Sequence, residues 1–560
     1  MSVSLVQFVW LMLALIAAVL WALVATARDS RAWLLFGAAV ATLAQVAASL
    51  ALWFVGGWWF AGEKLLVGAP LGLVALAWFT LVRRNTRWMR PAAWAGMIAQ
   101  LVALAATVIV GYPGPGAAAP SSTAHEHGQT SPGPSADSVS VTELRTPQDR
   151  PPDVAVTIEA RQTTVTLPSG RVIETWSFGE LGGPVIEASV GELVEVTVRN
   201  RDIENGVTAH WHGYRVPNGE DGVAGVTQDA VLPGEEFVYR FVAAEPGTYW
   251  YHTHQISSEG VSKGLYGPLV VRPELPVADL DAVFAVHTFG GHLVLGASDD
   301  EQRMQASPGD VVRLRLINTD QQPQVLELAG APFRVVAVDG RDLNGPELVE
   351  GQAVRIPAGG RYDLEYTQPS SAVALRAAAS RTATVVLGDG VAPPATFARI
   401  LDLLAYGRSS DPGPTDFDVE AELVLDQLPR LFDGGLTYAY TIGGKVYPHV
   451  PPTEVDEGDL VRLTVVNRSF ETHPMHPHGH VVRVLSVNGA APTGSPLVLD
   501  TFDVAPGEVW VVALTADNPG VWMDHCHNLE HAALGMVTHL VYRGVISPFE
   551  HGGEAGNQPE

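Results

Sequence analysis

Histidine pairs of the form His-x-His are the most chemically informative feature of this 560-residue sequence. On an extended strand, residues two apart point to the same face, so each pair can direct two imidazoles at one place. Imidazole favours Zn, Cu, Fe or Ni. A single pair could equally be structural, but eight imidazoles are too many for one ion and predict a cluster of metals. The pairs are His210/His212, His252/His254, His476/His478 and His525/His527.

The only cysteine of the chain, Cys526, lies between the two histidines of the last pair. No intrachain disulfide can form, and a lone cysteine is ordinarily a small buried hydrophobic residue. Here, however, His473, His531 and Met536 lie in neighbouring motifs. A thiolate with two histidines and a weak thioether is the blue-copper arrangement, so these residues predict a copper site. Electrons taken up at this copper could pass through the backbone to both adjacent histidines.

A strand motif that occurs three times places these residues in context. It reads GELVEVTVRN from Gly191, GDVVRLRLIN from Gly309 and GDLVRLTVVN from Gly458. Apolar and polar residues alternate and stop at Pro-Gly turns, which is typical of β-sandwiches, and the long spacing suits whole domains rather than a solenoid. We therefore predict an all-β protein. Its three tandem domains are predicted at 153–274, 275–410 and 411–546, with a tail at 547–560.

The first and third copies of the repeat carry the histidine pairs at equivalent places. The middle copy has none there, and its strand runs into TDQQPQVLELAG. The middle domain is therefore predicted to be a spacer without metal ligands. Because the ligands come from two copies, the metal cluster is predicted at the interface of the first and third domains.

The first 111 residues are predicted to form a bundle of four transmembrane helices. Arginines cluster in the first and third loops of this segment, which the positive-inside rule assigns to the cytoplasm. We therefore expect a multi-pass anchor in the cell membrane, in contact with lipid, that holds the later domains on the extracytoplasmic side. Each apolar run approaches the ~20 residues that cross a bilayer as a helix. The runs are Leu5–Thr26, Trp33–Val55, Leu65–Val82 and Ala92–Val110.

Residues 112–152 are rich in Pro, Gly, Ser, Ala and Thr and are predicted to be an extended linker. His125 and His127 within it could bind copper transiently, but a solvated linker is the simpler interpretation. No histidine precedes His125, which excludes a bis-histidine haem in the bundle. The net charge of −26 disfavours nucleic acid as a partner, because phosphate binding needs a basic surface.

The histidine motifs resemble, in chain order, the copper motifs of multicopper oxidases of the three-domain, laccase-like kind. They read HWHG, HTH, HPMHPHGH and HCHNLEHAALGM, and the resemblance extends from about Asp153 to Pro548. It implies cupredoxin-like Greek-key domains and four copper ions per chain, one type 1, one type 2 and two type 3. His480 is interpreted as structural. The implied ligands are His473, Cys526, His531 and Met536 for type 1; His210 and His476 for type 2; and His212, His252, His254, His478, His525 and His527 for type 3.

The resemblance implies an enzyme that takes electrons from a small reducing substrate at type 1 copper and reduces O2 to water at the other three coppers. We expect a laccase-like oxidase of phenols and aromatic amines. The alternative is a metallo-oxidase of Cu(I), Fe(II) or Mn(II), although only eight methionines weaken the Cu(I) option, since thioethers capture Cu(I). A non-catalytic copper carrier would not need eight cluster histidines, and a two-domain nitrite reductase would lack the middle copy.

Two residues are candidates for proton supply. Asp221, in the sequence EDG, resembles an acidic residue that family members place near type 2 copper, although an aspartate before glycine is also an ordinary turn residue. Several bacterial members carry glutamate directly after the last type 1 histidine, where this chain has Ala532; Glu530 is the second candidate. An axial Met536 predicts a low-to-middle reduction potential for type 1 copper.

Overall fold

The computed structural model describes residues 138–147, 149–409, 411, 413–432 and 435–560. The four-helix bundle predicted for 1–111, and residues 112–137 of the predicted linker, lie outside the described residues. Among the described helices, none combines the length and the apolar character needed to span a membrane. The described residues form mainly strands, which confirms the all-β prediction for this part of the chain.

Two four-stranded sheets form around the first copy of the repeat. The described strands up to this point are β1 (Val139–Ser140), β2 (Val154–Thr166), β3 (Val172–Ser177), β4 (Ile186–Ser189), β5 (Leu193–Asn200), β6 (His210–His212), β7 (Glu236–Val242), β8 (Gly247–His252) and β9 (Tyr266–Arg272). The sheet orders are β3-β2-β5-β7 and β4-β9-β8-β6. In β5, the alternating Val194, Val196 and Val198 are fully buried, and they pack with Tyr239 and Phe241 of β7 in a core shared by the two sheets.

The second pair of sheets surrounds the middle copy. Its strands are β10 (Leu280–Phe289), β11 (His292–Leu295), β12 (Glu301–Met304), β13 (Val311–Asn318), β14 (Gln324–Ala329), β15 (Arg334–Val338), β16 (Arg341–Asp342), β17 (Ala353–Ile356), β18 (Arg361–Thr367), β19 (Val373–Ala377) and β20 (Thr384–Leu387). The sheet orders are β11-β10-β13-β18-β15-β16 and β12-β20-β19-β14-β17.

The third pair of sheets surrounds the last copy. Its strands are β21 (Val419–Phe432), β22 (Gly435–Ile442), β23 (Thr453–Val455), β24 (Leu460–Asn467), β25 (His473–Pro477), β26 (Val482–Val487), β27 (Val498–Leu499), β28 (Phe502–Val504), β29 (Val509–Thr515), β30 (Val521–Cys526), β31 (Val537–Tyr542) and β32 (Val545–Ile546). The sheet orders are β22-β21-β24-β29-β26-β27 and β23-β31-β30-β25-β28.

The repeated motif forms a central strand in each pair of sheets. In each case it pairs in parallel with an earlier strand, β2, β10 or β21, and antiparallel with a later one, β7, β18 or β29. Three copies with the same pairing follow from the repeat in the sequence, because equal alternation and equal turns specify equal registers. The domain limits at 274, 275, 410 and 411 stay a prediction.

A short segment of the predicted linker belongs to the fold. β1 pairs in parallel with β32, and a 3-10 helix (Val141–Glu143) follows directly. The main-chain N–H of Gly219 donates to the carbonyl of Leu144 at 2.7 Å. Arg145 forms an ion pair with the fully buried carboxylate of Glu220 at 2.9 Å. A buried carboxylate must be paired, so these contacts fix residues 139–145 on the loop that precedes Asp221.

Short helices and loops complete the described chain. α1 (Ser257–Lys263) follows β8, which ends at His252, and α2 (Leu529–Ala533) follows β30, which ends at Cys526. Two further 3-10 helices are Asn218–Glu220 and Leu403–Ala405. Residues 426–439 and 468–471 belong to a unit distinct from the rest of the described chain. Within that unit, Arg468 pairs with Asp426 at 3.1 Å.

Candidate metal centres

Strands β6 and β8 present the histidines of the first copy side by side. In their antiparallel pairing, His210 lies opposite His252 and His212 lies opposite Trp250. His254 follows two residues after the end of β8. The alternation of side chains therefore places both members of each pair on one face, as the sequence predicts.

Strands β25 and β30 present the ligands of the third copy in the same way. His476 pairs with His525, and Met475 with Cys526. Cys526 ends β30 and its side chain points to the face opposite to that of the neighbouring histidines, because side chains alternate along a strand. One strand therefore serves two different centres.

The eight histidines of the four pairs form one buried cluster, and each is at most 1% exposed. His210 stacks on His478 and His212 stacks on His476, both with ring centroids 3.8 Å apart. Both stacks join a histidine of the first copy to one of the third. The cluster contains three groups of three histidines. In each group, every histidine offers one ring nitrogen, and the three nitrogens lie within 4.8 Å of one another. The groups are His210/His212/His476, His212/His252/His527 and His254/His478/His525.

The chemistry of this cluster fits metal ions. Buried imidazole nitrogens that lack any hydrogen-bond partner are costly unless a metal accepts their lone pairs. Burial first, and neighbouring imidazoles second, hold the pKa of His212, His254 and His527 well below the ordinary value. These imidazoles are neutral, which is the form that binds metals. The unpartnered nitrogens of the cluster are His210 Nε2, His212 Nδ1, His252 Nε2, His254 Nε2, His476 Nε2, His525 Nδ1 and both ring nitrogens of His527.

Asp221 lies between the two copies that supply the cluster. It is 1% exposed. Its carboxylate accepts a hydrogen bond from Nδ1 of His210 at 3.1 Å and from Nδ1 of His478 at 3.0 Å. A carboxylate behind a ligating histidine fixes the tautomer and directs the other nitrogen to the metal. Asp221 therefore orients two imidazoles from different copies at once.

The second centre is a mononuclear site around Cys526. The Sγ of Cys526 lies 3.6 Å from Nδ1 of His473 and 3.7 Å from Nδ1 of His531, and the two nitrogens are 3.1 Å apart. Met536 is fully buried, and its carbonyl accepts the N–H of Cys526 at 3.2 Å. One thiolate and two imidazoles that converge in an apolar setting form a donor set suited to copper.

Tyr440 and Asn528 hold the imidazole of His531 in this mononuclear site. The ring of Tyr440 stacks on His531 with centroids 3.8 Å apart. The side-chain nitrogen of Asn528 lies 2.9 Å from Nε2 of His531. Neither residue was predicted from the sequence, because a tyrosine in a strand of alternating apolar and polar residues is ordinarily a core residue.

The middle copy is more than a spacer at the cluster, although it supplies no ligand. The carbonyl of Gly359 accepts the indole N–H of Trp250 at 3.1 Å. A Cβ at Gly359 would lie 2.9 Å from both His212 Cε1 and His527 Cγ, and its φ is +84°. Only glycine allows the backbone to approach two imidazoles this closely. The two glycines of PAGGR were the signal in the sequence for this approach.

The tail after β32 also reaches the cluster. The carbonyl of Pro559 accepts from Nδ1 of His254 at 3.0 Å, and a carboxylate oxygen of Glu560 lies 2.9 Å from Nδ1 of His525. The latter approach does not have hydrogen-bond geometry, since both atoms lack a hydrogen-bond partner. The hydroxyl of Ser257 donates to the same carboxylate. Nothing in the sequence of the tail indicated this position.

The remaining predicted residues lie outside the two centres. Nδ1 of His480 donates to the carbonyl of His478 at 2.9 Å and Nε2 lies 2.7 Å from the Tyr542 hydroxyl, which agrees with a structural role. Burial lowers the pKa of His480 to about 4. Glu530 is exposed on α2 and Ala532 is buried in the same helix, so neither lies among the metal-binding groups of the described residues.

The fold and the two centres define a copper-dependent redox protein built from cupredoxin-like sandwiches. Two family profiles, each described as multicopper oxidase, match residues 159–276 and 425–544. These ranges hold the first and third copies, which carry the predicted ligands.

Known proteins resemble the chain over most of its length. Multicopper oxidase MmcO of Mycobacterium tuberculosis is 27% identical over 454 residues, which cover 70% of this chain and 87% of the relative. Laccase-1 of Botryotinia fuckeliana is 26% identical over 462 residues, 68% of this chain and 80% of the relative. A crystal structure of a multi-copper oxidase from Pseudomonas thermotolerans superposes with a TM-score of 0.59 at 27% identity, covering 69% of this chain and 98% of that one. The chain belongs to the multicopper oxidase family, and it is a copper-dependent oxidoreductase with O2 as acceptor.

Proposed function

We propose that this chain is a laccase-like oxidase, which takes single electrons from phenols and aromatic amines at the Cys526 centre. The observation that carries the proposal is the sequence at the end of β30, where Cys526 lies between His525 and His527. Bonded neighbours therefore join the thiolate centre to the histidine cluster. Copper, when bound, supplies electron uptake at the first centre and reduction of O2 to water at the second.

The proposed ligand roles follow the three groups of nitrogens described above. Each proposed type 3 ion has three imidazoles, His212/His252/His527 for one and His254/His478/His525 for the other. His210 and His476 are the proposed type 2 ligands. His473, Cys526, His531 and axial Met536 are the proposed type 1 ligands. The burial of all these side chains, and the imidazole nitrogens that face the cluster, support this division.

The proposed substrate class rests on the surroundings of His531. Its imidazole is packed face to face against the aromatic ring of Tyr440. Tyr440 is buried, so an apolar aromatic residue lines this side of the electron-entry site, which suits a neutral aromatic reductant. Laccase-1 of Botryotinia fuckeliana, described by name as a laccase, is among the similar proteins.

A metallo-oxidase is the second candidate, because of Glu530. This carboxylate is exposed and directly precedes His531 in the chain, so it could bind a cation beside the electron-entry site. The iron transport multicopper oxidase fetC of Epichloe festucae is 26% identical over 470 residues, covering 67% of this chain and 75% of the relative. The net charge of −26 also favours cations.

Asp221 is the proposed proton relay for O2 reduction. Its two carboxylate oxygens contact one imidazole from the first copy and one from the third, so a proton held there would be adjacent to two ligand rings. Glu530 is exposed and stays a weaker candidate for the same role. Replacing Asp221 with Asn should slow O2 reduction more than electron uptake from substrate, which rapid-mixing absorption at the blue band separates.

The location of the enzyme is also a proposal. We expect residues 1–111 to anchor it in the cell membrane, with both copper centres on the extracytoplasmic side, on the strength of the four apolar runs. Sodium carbonate extraction of membranes tests the anchor, since an integral protein stays in the pellet. Protease added to intact spheroplasts tests the side. Release by carbonate would contradict the anchor.

Oxygen uptake by the full-length copper-loaded chain tests the proposed substrate class. A phenol, Fe(II), Mn(II) and Cu(I) are supplied in parallel, and the visible spectrum is recorded on the same sample. Uptake driven by the phenol supports the laccase-like function. Uptake confined to a metal ion, and lowered in Glu530→Gln, would transfer the function to a metallo-oxidase. A blue protein without uptake from any donor would contradict both.

A further inference from the structure

His212 presents its Nδ1 to the cluster, whereas most of the neighbouring histidines present Nε2. His212 Nδ1 is the unpartnered atom, whereas Nε2 is unpartnered in His252 and His476. Because a neutral imidazole carries one proton, its metal-binding nitrogen is the one without it. His212 can bind metal here only if its proton is on Nε2.

A chain of three polar groups sets the position of that proton. His212 Nε2 lies 3.0 Å from the hydroxyl of Thr501, and this hydroxyl donates to Asp500 Oδ1 at 3.0 Å. A hydroxyl has a single proton. Since Thr501 gives its proton to Asp500, its oxygen can only accept from His212. The proton of His212 is therefore on Nε2, and Nδ1 is left with its lone pair.

Asp500 is held as the acceptor by Arg361. The two guanidinium nitrogens of Arg361 each lie 2.6 Å from one carboxylate oxygen of Asp500, a bidentate pair in which neither residue is exposed. Bidentate arginine pairs are the strong and geometrically specific ones. A buried charge needs such a partner, so Asp500 and Arg361 fix each other. A carboxylate with both oxygens held in this way accepts the Thr501 proton.

The middle copy supplies this arginine, and groups from the middle and first copies hold it. Arg361 begins β18, where its main-chain N–H donates to Asp339 at 3.0 Å and its Nε donates to the Thr248 carbonyl at 3.1 Å. The guanidinium lies 2.6 Å from the carboxylate of Asp500 but 3.4 Å from that of Asp339, so Asp500 is its stronger partner. Gly213, the glycine of HWHG, leaves room for the pair, since a Cβ there would lie 2.2 Å from Arg361 and 2.4 Å from Asp500.

We propose that Arg361 is a positioning residue of the copper cluster, which acts through Asp500 and Thr501 to keep His212 in the tautomer that presents Nδ1. The middle copy thus selects the ligand atom of a histidine from the first copy through two residues of the third. Without the arginine, the Thr501 hydroxyl is free to donate to Nε2, and the proton of His212 moves to the nitrogen that must bind copper.

Two substitutions at Thr501 test the hydroxyl in the full-length chain. Thr501→Val keeps the shape and removes the hydroxyl, whereas Thr501→Ser keeps the hydroxyl. Copper affinity is measured by competition with a chelator, and the blue band of Cys526 serves as an internal control for folding. Thr501→Val should lower the affinity of the cluster by about 10- to 100-fold, as loss of an outer partner typically does, with the blue band unchanged. Thr501→Ser should restore it.

A second pair of substitutions tests Arg361. Arg361→Lys removes the bidentate pair. Arg355→Lys is the matched control, because Arg355 also joins the middle copy to the third copy, through Asp503, whereas that pair includes no histidine. Nitrogen NMR of histidine-labelled, copper-free protein reports the tautomer directly. We expect the proton of His212 to leave Nε2 in Arg361→Lys and to stay there in Arg355→Lys.

Three outcomes would overturn the proposal. One is full cluster affinity in Thr501→Val. Another is equal loss of affinity in Thr501→Val and Thr501→Ser, which would assign the effect to packing. The third is an unchanged His212 tautomer in a folded Arg361→Lys. If Thr501→Val loses its blue band and is therefore unfolded, the NMR comparison of the two arginine variants decides.

Discussion

The two metal centres of this protein differ in how much of the chain they require. Every proposed ligand of the mononuclear centre lies between His473 and Met536, in the third copy. The histidine cluster joins strands from the first and third copies, and its supporting contacts reach across 289 residues between His212 and Thr501 and 139 residues between Arg361 and Asp500.

This difference teaches that the two centres depend on different levels of structure. A centre within one sandwich forms once that sandwich folds. A centre between sandwiches forms only after distant segments meet, and the entropy of closing such long loops must be offset by the contacts made. Substitutions at contacts between the copies should therefore disturb the histidine cluster and leave the mononuclear centre around Cys526 intact.

The largest expected effect separates the two centres. Cys526→Ser removes the only thiolate, so the blue absorption and the oxidation of substrate should be abolished, because oxygen is a poor substitute for sulfur at copper. The eight cluster histidines remain, and copper bound per chain should fall by only one ion. The matched control is Met523→Leu, a buried neighbour that is not a proposed ligand. Loss of all copper in Cys526→Ser would show that the centres are not independent.

Gly359→Ala should have the converse effect. The added Cβ would come within 2.9 Å of His212 and His527, so we expect loss of copper from the cluster and of most O2 reduction, with the blue band retained. Gly351→Ala is the control, since Gly351 also has a positive φ, +62°, but has no atom within 4 Å of the added carbon. Metal analysis together with the visible spectrum measures both. Equal effects of the two variants would mean that backbone strain, not contact with the cluster, is responsible.

Acid should destabilise the copper-free protein through the cluster. Burial holds the pKa of His212, His252, His254, His476, His478 and His527 well below 6.5. Below pH 6.5 the unfolded chain therefore binds protons that the native chain does not. The contribution of these imidazoles to the free energy of unfolding is therefore fully present above about pH 6.5. It is lost as the pH falls, by at most about 1.4 kcal/mol per pH unit for each imidazole.

Urea unfolding of the copper-free chain between about pH 7 and 5 measures this loss. His252→Gln should make the loss with falling pH less steep, because it removes one buried imidazole. His449→Gln should leave it unchanged, since that imidazole is exposed in the native chain. A stability that does not depend on pH in this window would contradict the burial of neutral imidazoles.

The smallest expected effect concerns the proposed axial ligand of the mononuclear centre around Cys526. Met536→Leu removes a weak thioether ligand, which should raise the reduction potential, since the axial ligand stabilises the oxidised copper. Each tenfold change in the relative stability of the two oxidation states corresponds to about 59 mV. A redox titration of the blue band measures the shift, with Met304→Leu as the control in the middle copy. An unchanged potential would mean that Met536 is not the axial ligand.

Local patterns in the sequence were sufficient to predict the sandwiches and the candidate ligands. Alternation in GELVEVTVRN and its two copies predicts strands that bury one face, and β5, β13 and β24 do so. The His-x-His pairs predict imidazoles on one face because a strand has a period of two, and His210 and His212 lie on β6 as expected. The copper and the family predicted from these motifs are confirmed.

The sequence did not predict which groups stand behind the ligands. It treated the middle copy as a spacer, yet Gly359 contacts two cluster histidines and Arg361 holds Asp500. It gave no indication that the tail would bring Pro559 to His254. An isolated arginine or proline has no periodicity, so its partner cannot be read from its neighbours.

The sequence by itself thus determined the residue types that bind copper and the strands that carry them, because both follow from short repeats. Only the tertiary structure decided which ring nitrogen of His212, His476 and His478 faces the cluster. That choice depends on buried hydrogen bonds to Thr501, Asp500 and Asp221. The bonds of His212 and His478 join the first copy to the third and form only when the copies pack together. Inside the protein each buried polar group must find a partner, and the packing of the whole chain determines which partner is within reach.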